Sequence, residues 1–264
     1  MADQFDRIRY EKDGRIALIT IDRPERLNAI DAQTGYEMNV AFSDFRDDDD
    51  VWVAILTGTG EKAFSTGNDL VAMAEAMAGK SSGRPVPRAP FGGITRDFEC
   101  FKPIIAAING YCLAGGLEIA LCCDIRVAAE HAQFGVPEVT RAIIPGAGGT
   151  QRLPRMLPRG IALELLITGA RFDAQWALQH GLVNYVVPAD QVMPKARELA
   201  GLICQNGPLA VRYAKESALR GVELSLAEGL DVELNMSRKV LATEDAREGP
   251  RAFAEKRKPA YKGR

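Results

Sequence analysis

Short strand-like runs alternate with short helix-like ones as far as Pro188, and after it only helical patterns follow. No other feature limits the fold as much, because strands separated by helices call for an α/β or mixed architecture. "RIALITID" (15–22) and "VWVAILTG" (51–58) are β-rich runs closed by turn residues. Residues 31–46 between them read as a helix with Asp31 as its N-cap, and the acidic run Asp47 to Asp50 as a solvated turn. "FSTGNDL" (64–70) leaves a strand through a glycine turn and enters the helical pattern "VAMAEAMAG". Residues 79–93, rich in Gly, Pro and Ser, read as a mobile loop or a linker within the domain. "KPIIAAING" (102–110) is another buried strand, "GGLEIALCC" a short apolar helix and "DIRVAAE" a further strand. Residues 190–205, 208–220, 224–243 and 245–257 are helical in pattern. The chain therefore divides into a core over residues 1–195 and a helical appendage over 196–264, of a kind that packs on the core or on a neighbouring subunit.

Composition narrows the function classes. The chain has 264 residues, 47% apolar and 26% charged, which is ordinary for a soluble globular protein. Its 33 Lys and Arg nearly balance 35 Asp and Glu, so no basic excess draws nucleic acid or an anionic membrane. No apolar run approaches the ~20 residues of a membrane helix. The start, "MADQFDRIRYEKDG", lacks a signal-peptide core, and a cytoplasmic location is expected. Cys100, Cys112, Cys122, Cys123 and Cys204 show no C-x-x-C pair or zinc spacing and read as buried thiols. Cys112 alone lies close to a suspicious pair of glycines. Of the two histidines, His131 and His180, the latter precedes Gly181 at what looks like a helix C-terminus. No Ser-His or Cys-His nucleophile system is indicated.

Three stretches carry chemistry. In "GYCLAGGLEIALCCD" (110–124) a lone acid, Glu118, sits in an apolar segment opened by two glycines. Burying a carboxylate is costly unless something pairs with it or uses it. Glycines at the mouth of a helix let a ligand approach the backbone N–H groups, a place for an oxygen that becomes anionic during reaction. On spacing alone, however, a capping-box glutamate in the first helical turn is the simpler account of Glu118. In "FSTGNDL" a glycine turn entering a helix presents the Asn68 N–H, with Asp69 as an N-terminal helix acid. In "AQFGVPEVTRAIIPGAGGTQRLPR" (132–155) Glu138 follows Pro137 and by itself reads as a surface acid. "GAGGT" lacks the lysine of a phosphate loop and reads as a turn feeding a helix that begins near Thr150.

The order and spacing of these stretches are far more specific than any one of them. The chain resembles the crotonase superfamily, the enoyl-CoA hydratase/isomerase family, almost end to end. The resemblance is carried by "RPERLNAI" (23–30), "FSTGNDL", "IAAINGYCLAGGLEIALCCDIRVAAEHAQFGVPE", "IIPGAGGTQRLPR", "LITGARFDAQWALQHGLVNYVVP" and "AFAEKRKPAYKG". It implies an α/β fold, a spiral of repeated ββα units, with a C-terminal helical region that builds trimers, often paired into hexamers. It also implies a coenzyme A thioester as substrate, with no permanently bound cofactor and no metal. The thioester oxygen would lie between the backbone N–H groups of Asn68 and Gly115. Hydratases of the family more often carry alanine where this chain has Asn68, which leaves the donor in place.

The resemblance further assigns Glu118 and Glu138 to the pair of acids that hold and add one water. Glu138 would protonate the α-carbon and Glu118 activate the water. Arg26 matches a basic position near the nucleotide phosphates. Ala29 and Ser65 fall in segments whose backbones would line the adenine and pantetheine path, and Asp69 beside them is a further candidate for substrate binding. Phe253 and Lys256 resemble a C-terminal pair that reaches the nucleotide from a neighbouring subunit. Arg141-Ala142 departs from the Leu-Gly usual in relatives, and an inward Arg141 would change the proton affinity of Glu138.

The implied reaction is reversible syn hydration of a trans-2-enoyl-CoA to a 3-hydroxyacyl-CoA. An enoyl-CoA isomerase, a specialised acyl-CoA dehydratase and a C–C bond hydrolase are the alternatives within the family. A non-catalytic scaffold and a nucleic-acid-binding relative fit the near-neutral charge and the intact acid pair less well.

Overall fold

The computed structural model describes residues 5–80 and 86–264. In chain order the elements begin with β1 (Ile8–Asp13), β2 (Ile16–Ile21), α1 (Ala32–Asp47), β3 (Val53–Gly58), β4 (Ala63–Ser65) and α2 (Leu70–Met77). They continue with β5 (Ile104–Ile108), β6 (Tyr111–Leu113), α3 (Gly115–Ala120), β7 (Ile125–Ala129) and β8 (Gln133–Gly135). Then come α4 (Gly149–Met156), α5 (Arg159–Thr168), β9 (Arg171–Asp173), α6 (Ala174–Gln179) and β10 (Tyr185–Val187). Helices α7 (Val192–Cys204), α8 (Pro208–Gly221), α9 (Leu226–Leu241) and α10 (Glu244–Ala254) complete the chain.

The strands form two sheets. One has six strands in the order β1-β2-β3-β5-β7-β10, and the other has four, β4-β6-β8-β9. From β2 to β10 the larger sheet is parallel, and so is β4-β6-β8 in the smaller. The chain thus lays one strand in the large sheet and the next in the small sheet, then turns away. β3-β4-α2 and β5-β6-α3 are full turns of that pattern, and β7-β8 opens a third. These are the repeated ββα units that the resemblance implied. Each unit delivers a strand end of the small sheet to the same edge, and the site is built there.

The central strands of the large sheet are buried on both faces and so read as continuous apolar runs, with every residue of β3 and β5 buried. Helix α1 covers one face with Met38, Ala41, Phe42 and Phe45, the i, i+3, i+4, i+7 spacing of an amphipathic helix. Its N-cap is Asp31, whose carboxylate accepts from the Thr34 N–H at 2.8 Å. The acidic run after α1 is a turn, but not a merely solvated one. Asp48 pairs with Lys12, and its carbonyl accepts from the buried Lys102 ammonium at 2.5 Å. The loop expected over residues 79–93 falls partly on residues 81–85, outside the described residues; Phe91–Gly93 form a short 3₁₀ turn.

Four helices follow β10, as the pattern after Pro188 requires. The division expected between residues 195 and 196 falls inside α7, which packs on β3, β5 and β7 through Ala196, Leu199 and Ala200. Helices α8 and α9 pack on each other. Lys215 ties α8 to the core by donating to Asp124 at 2.7 Å and to the Lys102 carbonyl at 3.0 Å. No helix of the described residues is long and apolar enough to cross a membrane.

Candidate active site

The edge where β4 and β6 end holds two tight turns in contact. Gly67, in the turn after β4, has φ +85°, and a Cβ there would stand 2.6 Å from the Gly115 nitrogen. Only glycine meets both conditions, so this residue brings the β4 turn onto the start of α3. The Asn68 N–H lies between two bonds that Ile30 makes, to the Gly67 carbonyl at 2.7 Å and from the Asp69 N–H at 2.9 Å, and takes part in neither. Gly115 is the first residue of α3, where no earlier turn supplies an acceptor. Ala114 before it is held at φ +52°, ψ −130°, a strained conformation for a residue with a Cβ. Two backbone N–H groups therefore open side by side into one cavity, which Asn68 and Gly115 both line.

That cavity has a volume of about 760 Å³. Glu118 and Glu138 line it as well, although they sit in different elements. Glu118 lies one turn into α3 and is only 2% exposed. It is not a capping-box glutamate. Its Oε1 accepts from the Ala147 N–H at 2.8 Å and the Gly149 N–H at 2.7 Å. Glu138 belongs to the 3₁₀ helix Pro137–Arg141 that follows β8 and is 8% exposed. It is therefore no surface acid. Its Oε2 is buried and has no hydrogen-bond partner among the described residues. An unpartnered buried carboxyl oxygen is costly unless a ligand or water meets it.

Known proteins are similar to this chain over nearly its whole length. The enoyl-CoA hydratase/isomerase family model matches residues 11–264. The chain belongs to the enoyl-CoA hydratase/isomerase family. It is 46% identical over 261 residues to carnitinyl-CoA dehydratase from Citrobacter koseri, covering 97% of this chain and 98% of that protein. A probable enoyl-CoA hydratase/isomerase from Mycobacterium abscessus superposes with a TM-score of 0.89 at 38% identity, covering 100% of both chains. Enoyl-CoA hydratase from Mycobacterium tuberculosis H37Rv gives a TM-score of 0.90 at 37% identity, covering 98% of this chain and 99% of that one.

Within this enoyl-CoA hydratase/isomerase family chain the two acids sit in unequal environments. Burial pushes the Glu118 carboxyl up. The Gly149 and Ala147 N–H groups oppose that, and so do the charges of Arg152 and Arg96. Burial pushes Glu138 up to about 7, and the Glu118 charge adds to the rise while Arg141 opposes it. Near neutral pH Glu138 thus holds and releases a proton readily, and two N–H groups stabilise negative charge on Glu118. Arg141 lines the cavity without pairing with Glu138 and donates instead to Thr140 Oγ1 at 2.8 Å.

Of the remaining candidates, Arg26, Ala29 and Asp69 line the cavity. The Asp69 carboxylate is engaged elsewhere: it caps α2 through the Val71 and Ala72 N–H groups and pairs with the buried Arg23 at 2.9 Å. Its work is to hold the Asn68 turn in place. Ser65 is fully buried under that turn, accepts from the Gly67 N–H at 3.2 Å and does not line the cavity. Phe253, 88% exposed, and Lys256 lie on and just after α10 and do not line the cavity of their own chain.

The structure adds residues that sequence reasoning missed. "GAGGT" is the turn into a helix that its sequence suggests, and α4 begins at Gly149. Its N–H groups nevertheless bind an anion, and that anion is Glu118. Phe91, on the far side of residues 81–85, packs its ring on Gly115 and walls the cavity. Its place beside Gly115 is long-range, and nothing local in "APFGG" signals it.

Proposed function

We propose that the protein is a hydro-lyase that adds water reversibly and syn to a trans-2-enoyl-CoA, giving a 3-hydroxyacyl-CoA. The observation that carries this reading is the pair of acids, one anchored by N–H groups and one with a free buried oxygen, facing one cavity beside two free N–H donors.

The thioester oxygen lies between the Asn68 and Gly115 N–H groups, which take up the charge that develops there. One such donor is worth roughly 2.7–4 kcal/mol of barrier. Glu118 accepts a proton from water as the water oxygen bonds to the β-carbon. The alkene π pair moves toward the carbonyl, and Glu138 gives its proton to the α-carbon. One molecule of water is added, and the pair has exchanged one proton between its members. Acid–base help of this kind contributes roughly 10²–10⁴-fold. Arg26 is assigned to the nucleotide phosphates, and Phe253 and Lys256 to the nucleotide of a neighbouring subunit. Leu226, Leu230, Leu234 and Leu241, exposed along α9, support assembly into trimers or paired trimers. No resident cofactor or metal enters these steps.

A second reading has its own support. The 46% identity to carnitinyl-CoA dehydratase favours dehydration of a substituted 3-hydroxyacyl-CoA, the same chemistry in reverse on a different acyl group. The test is to mix purified protein with crotonyl-CoA, longer 2-enoyl-CoAs, 3-enoyl-CoAs and carnitinyl-CoA, and follow the conjugated thioester absorbance. Loss of absorbance with 2-enoyl-CoAs supports hydration. A gain with carnitinyl-CoA alone favours the second reading, and faster turnover of 3-enoyl-CoAs would replace both with isomerisation.

A further inference from the structure

The mechanism uses Glu118 and Glu138 but leaves three cavity-lining guanidinium groups unexplained, Arg96, Arg141 and Arg171, of which the first two stand beside the acids. Arg96 reaches from the turn after Phe91–Gly93 and donates to the Gly146 carbonyl at 2.8 Å. Gly146 immediately precedes Ala147, whose N–H holds Glu118, so Arg96 stands beside the first acid. Arg141 lies three residues beyond Glu138 in one 3₁₀ helix, where side chains at i and i+3 eclipse. It therefore stands beside the second acid. Among the described residues neither arginine has a carboxylate within ion-pair distance. Each makes one donor bond, to Gly146 and Thr140 respectively, out of the five a guanidinium offers.

The anions of the cavity answer these charges only in part. Asp69 is matched by Arg23, which leaves Glu118 and Glu138 against the four lining arginines, Arg26, Arg96, Arg141 and Arg171. Arg171 adds a further cation to the wall, and the apolar lining of the cavity, including Val71, Met73, Ile143 and Ile144, suits methylene groups. A partly enclosed cavity with an excess of one sign of charge concentrates ligands of the other sign and disfavours its own.

Resting on the thioester reading above, we infer that Arg96 and Arg141 select the acyl group: the cavity takes a chain that ends in a carboxylate. A chain ending in trimethylammonium meets like charge from both. Unreactive saturated thioesters test this without depending on turnover. Calorimetric dissociation constants are measured for glutaryl-CoA and adipoyl-CoA, for pentanoyl-CoA and hexanoyl-CoA, for 4-(trimethylammonio)butanoyl-CoA, and for free coenzyme A. The coenzyme A charge is common to all and cancels in the ratios. The better of the two carboxylate chains is expected to bind at least about tenfold more tightly than its neutral partner, and the trimethylammonium chain more weakly than either. In Arg96→Gln/Arg141→Gln the carboxylate-to-neutral ratio falls toward one. Tightest binding of the trimethylammonium or neutral chain by the wild-type protein overturns the inference, as does a ratio that survives the double variant. An equal loss of free coenzyme A affinity in that variant overturns it too, because the arginines would then serve the nucleotide phosphates. Hydration of crotonyl-CoA, followed separately, tests the reading of the reaction and can fail or hold independently of the ratios.

Discussion

Replacing Glu138 by Gln should stabilise the protein in alkaline solution while lowering its activity. The wild-type carboxyl is pushed up from its ordinary value of 4.5 to about 7, chiefly by burial. A folded state that holds this proton more tightly than the unfolded chain is favoured while the group is protonated. It loses that advantage as pH rises from about 4.5 through about 7. The full difference amounts to about 3 kcal/mol between the two protonation states. Water in the open cavity screens the charge and reduces the expected effect to about 1–2 kcal/mol. Glutamine has the shape of the protonated acid and no charge to bury. The assay is urea unfolding of both proteins at fixed concentration from about pH 4.5 to about pH 8.5, read as the difference between them at each pH. The difference should be small at the acid end and grow in favour of Glu138→Gln to about 1–2 kcal/mol at the alkaline end. A difference independent of pH, or a variant less stable than wild type at high pH, would refute the reasoning.

Hydration and dehydration both start from the acid pair carrying one proton, so kcat/KM in both directions should share one pH profile. Above about pH 7 the pair loses that proton and the rate should fall up to tenfold per pH unit; a flat profile there contradicts the assignment of Glu138. Gly67→Ala forces a Cβ to within 2.6 Å of the Gly115 nitrogen at φ +85°. It should lower kcat by about 10²–10³-fold, and full activity in a soluble variant would show that the two turns do not form the oxygen site. Arg23→Gln leaves the buried Asp69 without its cation and the half-buried Asp31 with Arg7 alone, at 3.9 Å. It should cost about 3–5 kcal/mol in denaturant unfolding, and an unchanged midpoint would show that the pairs contribute nothing.

Much of this architecture was legible because local chemistry and final structure agree. Asp31 caps α1 as its position predicts, and His180 ends α6 with its ring on the Trp176 carbonyl at 2.9 Å. The apolar runs of β2, β3 and β5 became parallel strands because both faces of their sheet are covered. The site was less legible, since its parts meet only across the fold. Glu118 looked like a capping-box acid because its N-terminal spacing is right. Its real partners, the Ala147 and Gly149 N–H groups, lie 29 and 31 residues away. Glu138 looked exposed because a five-residue 3₁₀ helix has no periodicity to show which face turns inward. The Asp69 and Ser65 side chains hold up the turn that presents Asn68, a packing role that their place in the motif does not signal. The resemblance located that turn but could not separate the residues that face the cavity from those beneath it. Arg96 and Phe91 escaped notice because they reach the cavity from a stretch rich in Gly and Pro, where sequence pattern says little about direction.

The central claim is that Glu118 and Glu138 together add one water across a 2-enoyl thioester. Its most direct test is crotonyl-CoA hydration in D₂O by wild type, Glu118→Gln and Glu138→Gln, with the product read by NMR. Wild type should place one deuterium on the α-carbon, syn to the new hydroxyl, and each variant should lose about 10²–10⁴-fold in rate. No hydration by wild type, or undiminished rates in both variants, would contradict the account.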